Sequence, residues 1–187
     1  MKYLVVGLGN IGDEYADTRH NIGFTVLDAL ARASNTFFTT DRLAMKAETK
    51  YKGRTLILIK PTTYMNLSGK AIAYWMQQEK IPKENILIIT DDLALPFGAL
   101  RMKTKGGDGG HNGLTSTITS LNSSEFARIR FGIGSDYARG HQADFVLGRW
   151  TGEEAAALPP RINMAIEMVQ NFVSIGPQLT MTNYNNK

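Results

Sequence analysis

Tyr3-Leu4-Val5-Val6-Gly7-Leu8-Gly9-Asn10-Ile11-Gly12 is the stretch on which the fold turns. Tyr3–Val6 is a compact apolar run bounded by glycine, the pattern of a short buried strand. The glycines that follow match the dinucleotide-binding pattern G-x-G-x-x-G. That motif needs a helix opening within its glycines and an acidic residue closing the next strand. Here Asp13-Glu14-Tyr15-Ala16-Asp17-Thr18 delays the helix to about Asn21, and the next strand ends in Lys60-Pro61. Both requirements fail, so a nucleotide-cofactor oxidoreductase is the weaker reading. The glycines are expected instead to shape a tight loop that presents Asn10 at the carboxyl end of strand one, where open α/β sheets place their ligands.

Working outward, Thr55–Ile59 and Ile86–Thr90 repeat the compact apolar pattern, and Arg128–Ile133 alternates basic with apolar side chains. Between the first two strands, Ile22, Val26, Leu27, Leu30 and Ala31 share one face at helical spacing, predicting a helix over Ile22–Ser34. A second helix is expected after Asn66, with Ala71, Ile72, Trp75 and Met76 on its buried face, before Ile81-Pro82 breaks the pattern. A third should follow the glycine-rich Gly106–Gly110 with Leu114, Ile118 and Leu121 inward. A fourth should cover Gly152 to about Val173, with Pro159-Pro160 interrupting it or marking its start. Strands alternating with helices predict one α/β domain spanning residues 1–187, its polar end, Gln178–Lys187, frayed.

No run approaches the roughly 20 apolar residues of a membrane-crossing helix, and the first residues enter a strand pattern without a signal-peptide layout, so a cytoplasmic protein is expected. With no cysteine, disulfides, thiolate metal sites and a thiol nucleophile are excluded. A net charge of +4 is too small to specify a polyanionic partner by itself. The placement of Lys103, Lys105, Arg128, Arg130, Arg139 and Arg149 in the second half would suit one.

The candidate chemistry is concentrated in four places. Thr18-Arg19-His20-Asn21 puts His20 ahead of the first helix, where an imidazolium is disfavoured and a neutral general base favoured. Asp91 and Asp92 close the strand Ile86–Thr90; adjacent strand residues face opposite ways, so one of the two can serve a site and the other cap the turn. An aspartate on one imidazole nitrogen fixes the tautomer that accepts a proton at the other. Between Lys60-Pro61 and Gly69, Asn66 offers an amide to substrate or oxyanion, or a helix cap, and Tyr64 offers a stacking surface. Gly106-Gly107-Asp108-Gly109-Gly110 opening a helix, with Lys103 and Lys105 upstream, would give backbone amides to phosphate, or be a surface loop. The three histidines, His20, His111 and His141, form no metal-binding spacing.

Taken together, Gly7-Leu8-Gly9-Asn10, Thr18-Arg19-His20-Asn21, Lys60-Pro61 with Tyr64-Met65-Asn66-Leu67-Ser68-Gly69, Asp91, and Gly109-Gly110-His111-Asn112-Gly113 closely resemble the bacterial peptidyl-tRNA hydrolase family in order and spacing. Arg128–Gly134 and Phe145–Gly148 extend the likeness over roughly residues 1–175. The resemblance implies a three-layer α/β/α domain around a mixed twisted sheet, acting as a monomer without metal, cofactor or obligate protein partner. It implies that His20 activates water, Asp91 stabilises its working form and Asp92 stands by. It makes Asn10 the position that separates peptidyl-tRNA from free aminoacyl-tRNA, and Tyr15, Tyr64, Asn66 and Asn112 substrate contacts. His111, Lys103, Lys105 and Arg130 would support the acceptor stem and terminal phosphate. Thr90, Ala94 and Asp108 depart from the commonest family pattern. A non-catalytic RNA-binding relative on the same fold is the principal rival.

Overall fold

A computed structural model describes residues 1–187. The first strand, β1 (Lys2–Gly7), leads through single helical turns at Asp13–Tyr15 and Arg19–Asn21 into α1 (Ile22–Ala33). Then come β2 (Thr39–Asp41), β3 (Ala44–Tyr51), β4 (Arg54–Pro61), a turn at Met65–Leu67, α2 (Ser68–Gln78), β5 (Ile86–Asp92) and β6 (Leu100–Lys103). The chain continues through α3 (Asn112–Leu121), β7 (Ala127–Gly132), α4 (Gln142–Val146), α5 (Gly152–Ile175) and α6 (Pro177–Tyr184). The strands form one mixed sheet in the order β2-β3-β4-β1-β5-β7-β6, with β4, β1, β5 and β7 parallel and the outer strands antiparallel.

The central strands are apolar throughout because both their faces are covered. Val5, Leu56, Leu58, Leu87 and Ile89 pack against α1 and α5, while Leu4, Val6, Ile57, Ile59, Ile86 and Ile88 pack on the other face with Ile72 and Trp75 of α2 and Leu114 of α3. This is the expected three-layer α/β/α architecture. No helix is long and apolar enough to cross a membrane.

Two glycines set the position of α1. A Cβ on Gly7 would lie 2.3 Å from the Gly23 carbonyl oxygen, and one on Gly23 would lie 2.5 Å from the Leu8 nitrogen, so helix and strand meet backbone to backbone. The glycine pattern therefore serves a close approach of α1 and opens no helix of its own. Because α1 starts only at Ile22, residues 8–21 remain as a loop over the carboxyl ends of β1 and β5.

Three expectations change. Gln178–Lys187 is mostly helical: Thr180 is buried in α6, and the Asn185 amide accepts from the Met102 N–H (2.8 Å) and donates to its carbonyl (3.1 Å). The tail is docked, not frayed, because a side-chain amide can satisfy the outward backbone groups of β6. α5 starts at Gly152 and runs through Pro159-Pro160, fixed at its start by a capping box in which Thr151 and Glu154 exchange hydrogen bonds. Arg128, read as part of a basic face, is buried. It donates to the carbonyls of Gly106, Gly107, Ser124 and Phe126 and so pins the glycine-rich loop.

Candidate active site

The carboxyl ends of β1, β4 and β5 open into a cleft of about 1160 Å³ lined by Asn10, His20, Met65, Asn66, Asp91, Asp92, Lys103, His111, Asn112 and Arg130, with Ala143 and Val146 of α4 and the adjoining Leu147 among its apolar members. At its centre Asp91 stands where the N-terminal turns of α1 and α3 converge from opposite layers. One carboxylate oxygen, Oδ2, is 2.7 Å from His20 Nδ1, and the other, Oδ1, is 2.7 Å from His111 Nε2. Burial pushes the Asp91 carboxyl pKa up, but the two imidazoles, His111 foremost, outweigh it and hold the group ionised well below the usual carboxylate range.

His111 closes this network from the α3 side. As the N-cap of α3 its Nδ1 accepts from the backbone N–H groups of Gly113 (3.1 Å) and Leu114 (3.4 Å), so the ring proton belongs on Nε2, facing Asp91. Burial opposes a charge on His111 and the Asp91 carboxylate favours one, the carboxylate prevailing so that its pKa is raised. A proton on Nδ1 would nevertheless face two N–H groups, so the neutral ring is the form that satisfies every bond at this corner. With Asp91 accepting from His20 Nδ1–H, the remaining nitrogen of His20, Nε2, is the one left to take a proton.

Asn10 is locked just as firmly. Its side-chain oxygen accepts from the Met65 N–H (2.7 Å), which leaves its NH₂ group as a donor of fixed orientation. Asn21 braces it from below, accepting from the Asn10 N–H and donating to the Asn10 carbonyl, both at 2.8 Å. Asn21 and the buried Arg19 are the two working residues for which the sequence offered no role. Both lie in a polar loop, and polar residues in loops read as exposed.

The adjacent aspartates divide as alternation requires. Asp92 accepts from the Ala94 N–H (2.8 Å) and from Arg130 Nε (2.6 Å), and so caps the turn after β5 and holds Arg130 at the cleft wall. Asn66, Asn112 and Lys103 are exposed along the rim. Lys105 is exposed but outside the cleft lining; the half-buried Tyr15 and exposed Tyr64 also lie outside it, packed edge to face at 6.4 Å. His111, expected at the acceptor stem, has both nitrogens committed within the protein. The phosphate cradle expected from the glycine-rich loop is also altered. Asp108 accepts from the Gly110 N–H and Thr115 hydroxyl, and His111 takes the first amides of α3, so those donors are spent internally.

His20, Asp91 and His111 have potential ligand atoms within 4.8 Å of one another. A metal needs a nitrogen lone pair, however, and His111 Nε2 carries its proton while His20 Nδ1 is turned to Asp91. As hydrogen-bonded here, the trio leaves His20 Nε2 as the one imidazole nitrogen without a protein partner.

A family model described as peptidyl-tRNA hydrolase matches residues 4–187. The chain belongs to the peptidyl-tRNA hydrolase family. It is 57% identical over 187 residues, the full length of both chains, to the peptidyl-tRNA hydrolase of Phocaeicola vulgatus. With that of Chloroflexus aggregans it shares 44% identity over 185 residues, 98% of each chain. The crystal structure of peptidyl-tRNA hydrolase from Acinetobacter baumannii superposes with a TM-score of 0.92 at 34% identity, covering 98% of this chain and 94% of that one. The cleft is thus the candidate active site of a hydrolase of this family.

Proposed function

We propose that the protein hydrolyses the ester joining a peptide's carboxyl carbon to the 3′-terminal ribose of tRNA, with His20 as general base on water and Asp91 as its support. The hydrogen-bonded chain His20–Asp91–His111 is the observation that carries this reading. Water attacks the ester carbon as His20 Nε2 takes its proton; the imidazolium then returns a proton to the departing ribose oxygen, leaving free tRNA and a peptide acid. Asp91 holds the productive tautomer and stabilises the imidazolium, and His111 keeps Asp91 ionised and aimed. A water nucleophile removes any need for serine or cysteine.

Selectivity follows from Asn10. Its fixed NH₂ group suits the amide carbonyl that a blocked aminoacyl group presents, whereas the free ammonium of an aminoacyl-tRNA offers no acceptor there. Asn66 and Asn112 supply further donors to the ester, and Lys103 and Arg130 meet the acceptor-stem phosphates. The reading includes action as one domain and as a monomer, in the cytoplasm, with tRNA as the partner and no cofactor.

The deciding experiment compares N-acetylaminoacyl-tRNA with the same tRNA carrying an unblocked aminoacyl group, using His20→Ala as control. Cleavage of the blocked ester alone, lost in the variant, is expected. Binding by the intact protein without cleavage would instead establish the RNA-binding rival.

A further inference from the structure

Arg19 precedes the base in sequence, yet its side chain is turned inward and only 9% exposed. Its guanidinium lies 4.2 Å from the centre of the Phe145 ring and 5.7 Å from that of Trp150. Nη1 donates to the Phe145 carbonyl (3.1 Å) and Nη2 to Glu154 Oε1 (2.9 Å), the same oxygen that accepts from the Thr151 N–H at the start of α5. The backbone joins in: the Arg19 N–H donates to the Gly148 carbonyl (2.9 Å), and Thr18 bridges Arg149. The approach is so close that a Cβ on Gly148 would lie 2.9 Å from Arg19 Nη1.

What Arg19 grips is the cleft wall. α4 is five residues long with no fully buried residue, too short to persist unaided. Its Ala143 and Val146, with Leu147 just beyond its end, line the cleft, while Phe145 lies under the Arg19 guanidinium and beside Tyr137. The turn that carries Arg19 also carries His20, so base and wall share one anchor.

We propose that Arg19 is a positioning residue that registers the α4 wall against His20, and that through it the wall contributes affinity for the peptidyl end of the substrate. This rests on the hydrolase reading above. An arginine is suited to the task because its planar fork reaches a carbonyl and a carboxylate at once while its face stacks on an aromatic ring. A lysine has only the point charge.

The test compares wild type with Arg19→Met, Arg19→Lys and Glu154→Gln, by steady-state cleavage of N-acetylaminoacyl-tRNA and by amide hydrogen exchange over residues 142–148 without substrate. Arg19→Met is expected to raise KM about tenfold while kcat falls less than about threefold, with the pH dependence of kcat unmoved and exchange protection lost in α4. Arg19→Lys should recover part of this, and Glu154→Gln should raise KM about two- to threefold. An unchanged KM in Arg19→Met, or a fall in kcat alone, would overturn the proposal, the second outcome showing that Arg19 serves only His20. Should Arg19→Met not fold, Glu154→Gln decides: an unchanged KM and unchanged exchange overturn it. A wild type that fails to cleave sinks the hydrolase reading, whereas unchanged exchange in a folded Arg19→Met sinks the clamp alone.

Discussion

The centre of the cleft and its rim are built on opposite plans. At the centre, both oxygens of Asp91, both nitrogens of His111, the His20 Nδ1 and the Asn10 side-chain oxygen are bonded within the protein, leaving only His20 Nε2 and the Asn10 NH₂ group without a partner there. Along the rim, Asn66, Asn112 and Lys103 are exposed, with side chains turned to solvent or cleft. The difference separates two kinds of energy. Groups locked before substrate arrives cost no reorganisation during the reaction and should appear in kcat; groups that find their partner on the substrate should appear in KM.

The largest expected effect breaks the centre. His20→Ala should lower kcat by about 10²–10⁴-fold or more with little change in KM, measured on blocked aminoacyl-tRNA. Asp91→Asn should come next, at about 10²-fold or more in kcat, because an amide cannot accept from both imidazoles and stabilise the imidazolium. The same variant sharpens the comparison through pH. Since the Asp91 carboxyl is held below its ordinary 3.8 in the fold, its ionised form stabilises the protein above that pH, and the contribution is lost as pH falls below it. Urea midpoints between pH 5 and 3 should therefore fall more steeply in wild type than in Asp91→Asn; parallel slopes would show that the carboxylate is not so held.

The rim should answer differently. Lys103→Ala is expected to raise KM a few-fold, leave kcat nearly unchanged, and make the slope of log KM against log salt shallower by about one. A kcat loss without a KM change would place Lys103 with the centre. The smallest effect belongs to neither region: Asn185→Ala should leave both constants unchanged and lower Tm by about 2–4 °C for each ~1 kcal/mol of lost hydrogen bonding to Met102, followed by thermal unfolding.

The central strands and the first three helices were legible because burial on two faces writes an unbroken apolar run and burial on one writes a helical stripe. β3 was not, since Ala44-Met45-Lys46-Ala47-Glu48-Thr49-Lys50-Tyr51 is mostly half-exposed and its pairing with β4 supplies what its composition lacks. β2 and β6, of three and four residues, fall below any periodicity, and α6 has almost no apolar face. In the site, the partnership of His20 with Asp91 could be anticipated from a histidine before a helix and an acid ending a strand. The second imidazole on the same carboxylate could not, because it depends on where the opposite layer starts α3. Nor could the burial of Arg19 or Arg128: Arg128 is held by carbonyls and an aromatic face, and the one carboxylate that meets Arg19, Glu154, lies 135 residues along the chain.

The docked tail also bears on how molecules of this protein meet one another. A sheet edge with free backbone groups is adhesive toward any passing strand. At one margin β2 is only three exposed residues, Thr39-Thr40-Asp41, too short and too polar to recruit a partner. At the other, the outward N–H and carbonyl of Met102 in β6 are taken by the Asn185 amide, a side chain imitating the next strand of the ladder. The tail thus covers the Met102 position of that edge, where another strand would otherwise find free backbone groups to pair with.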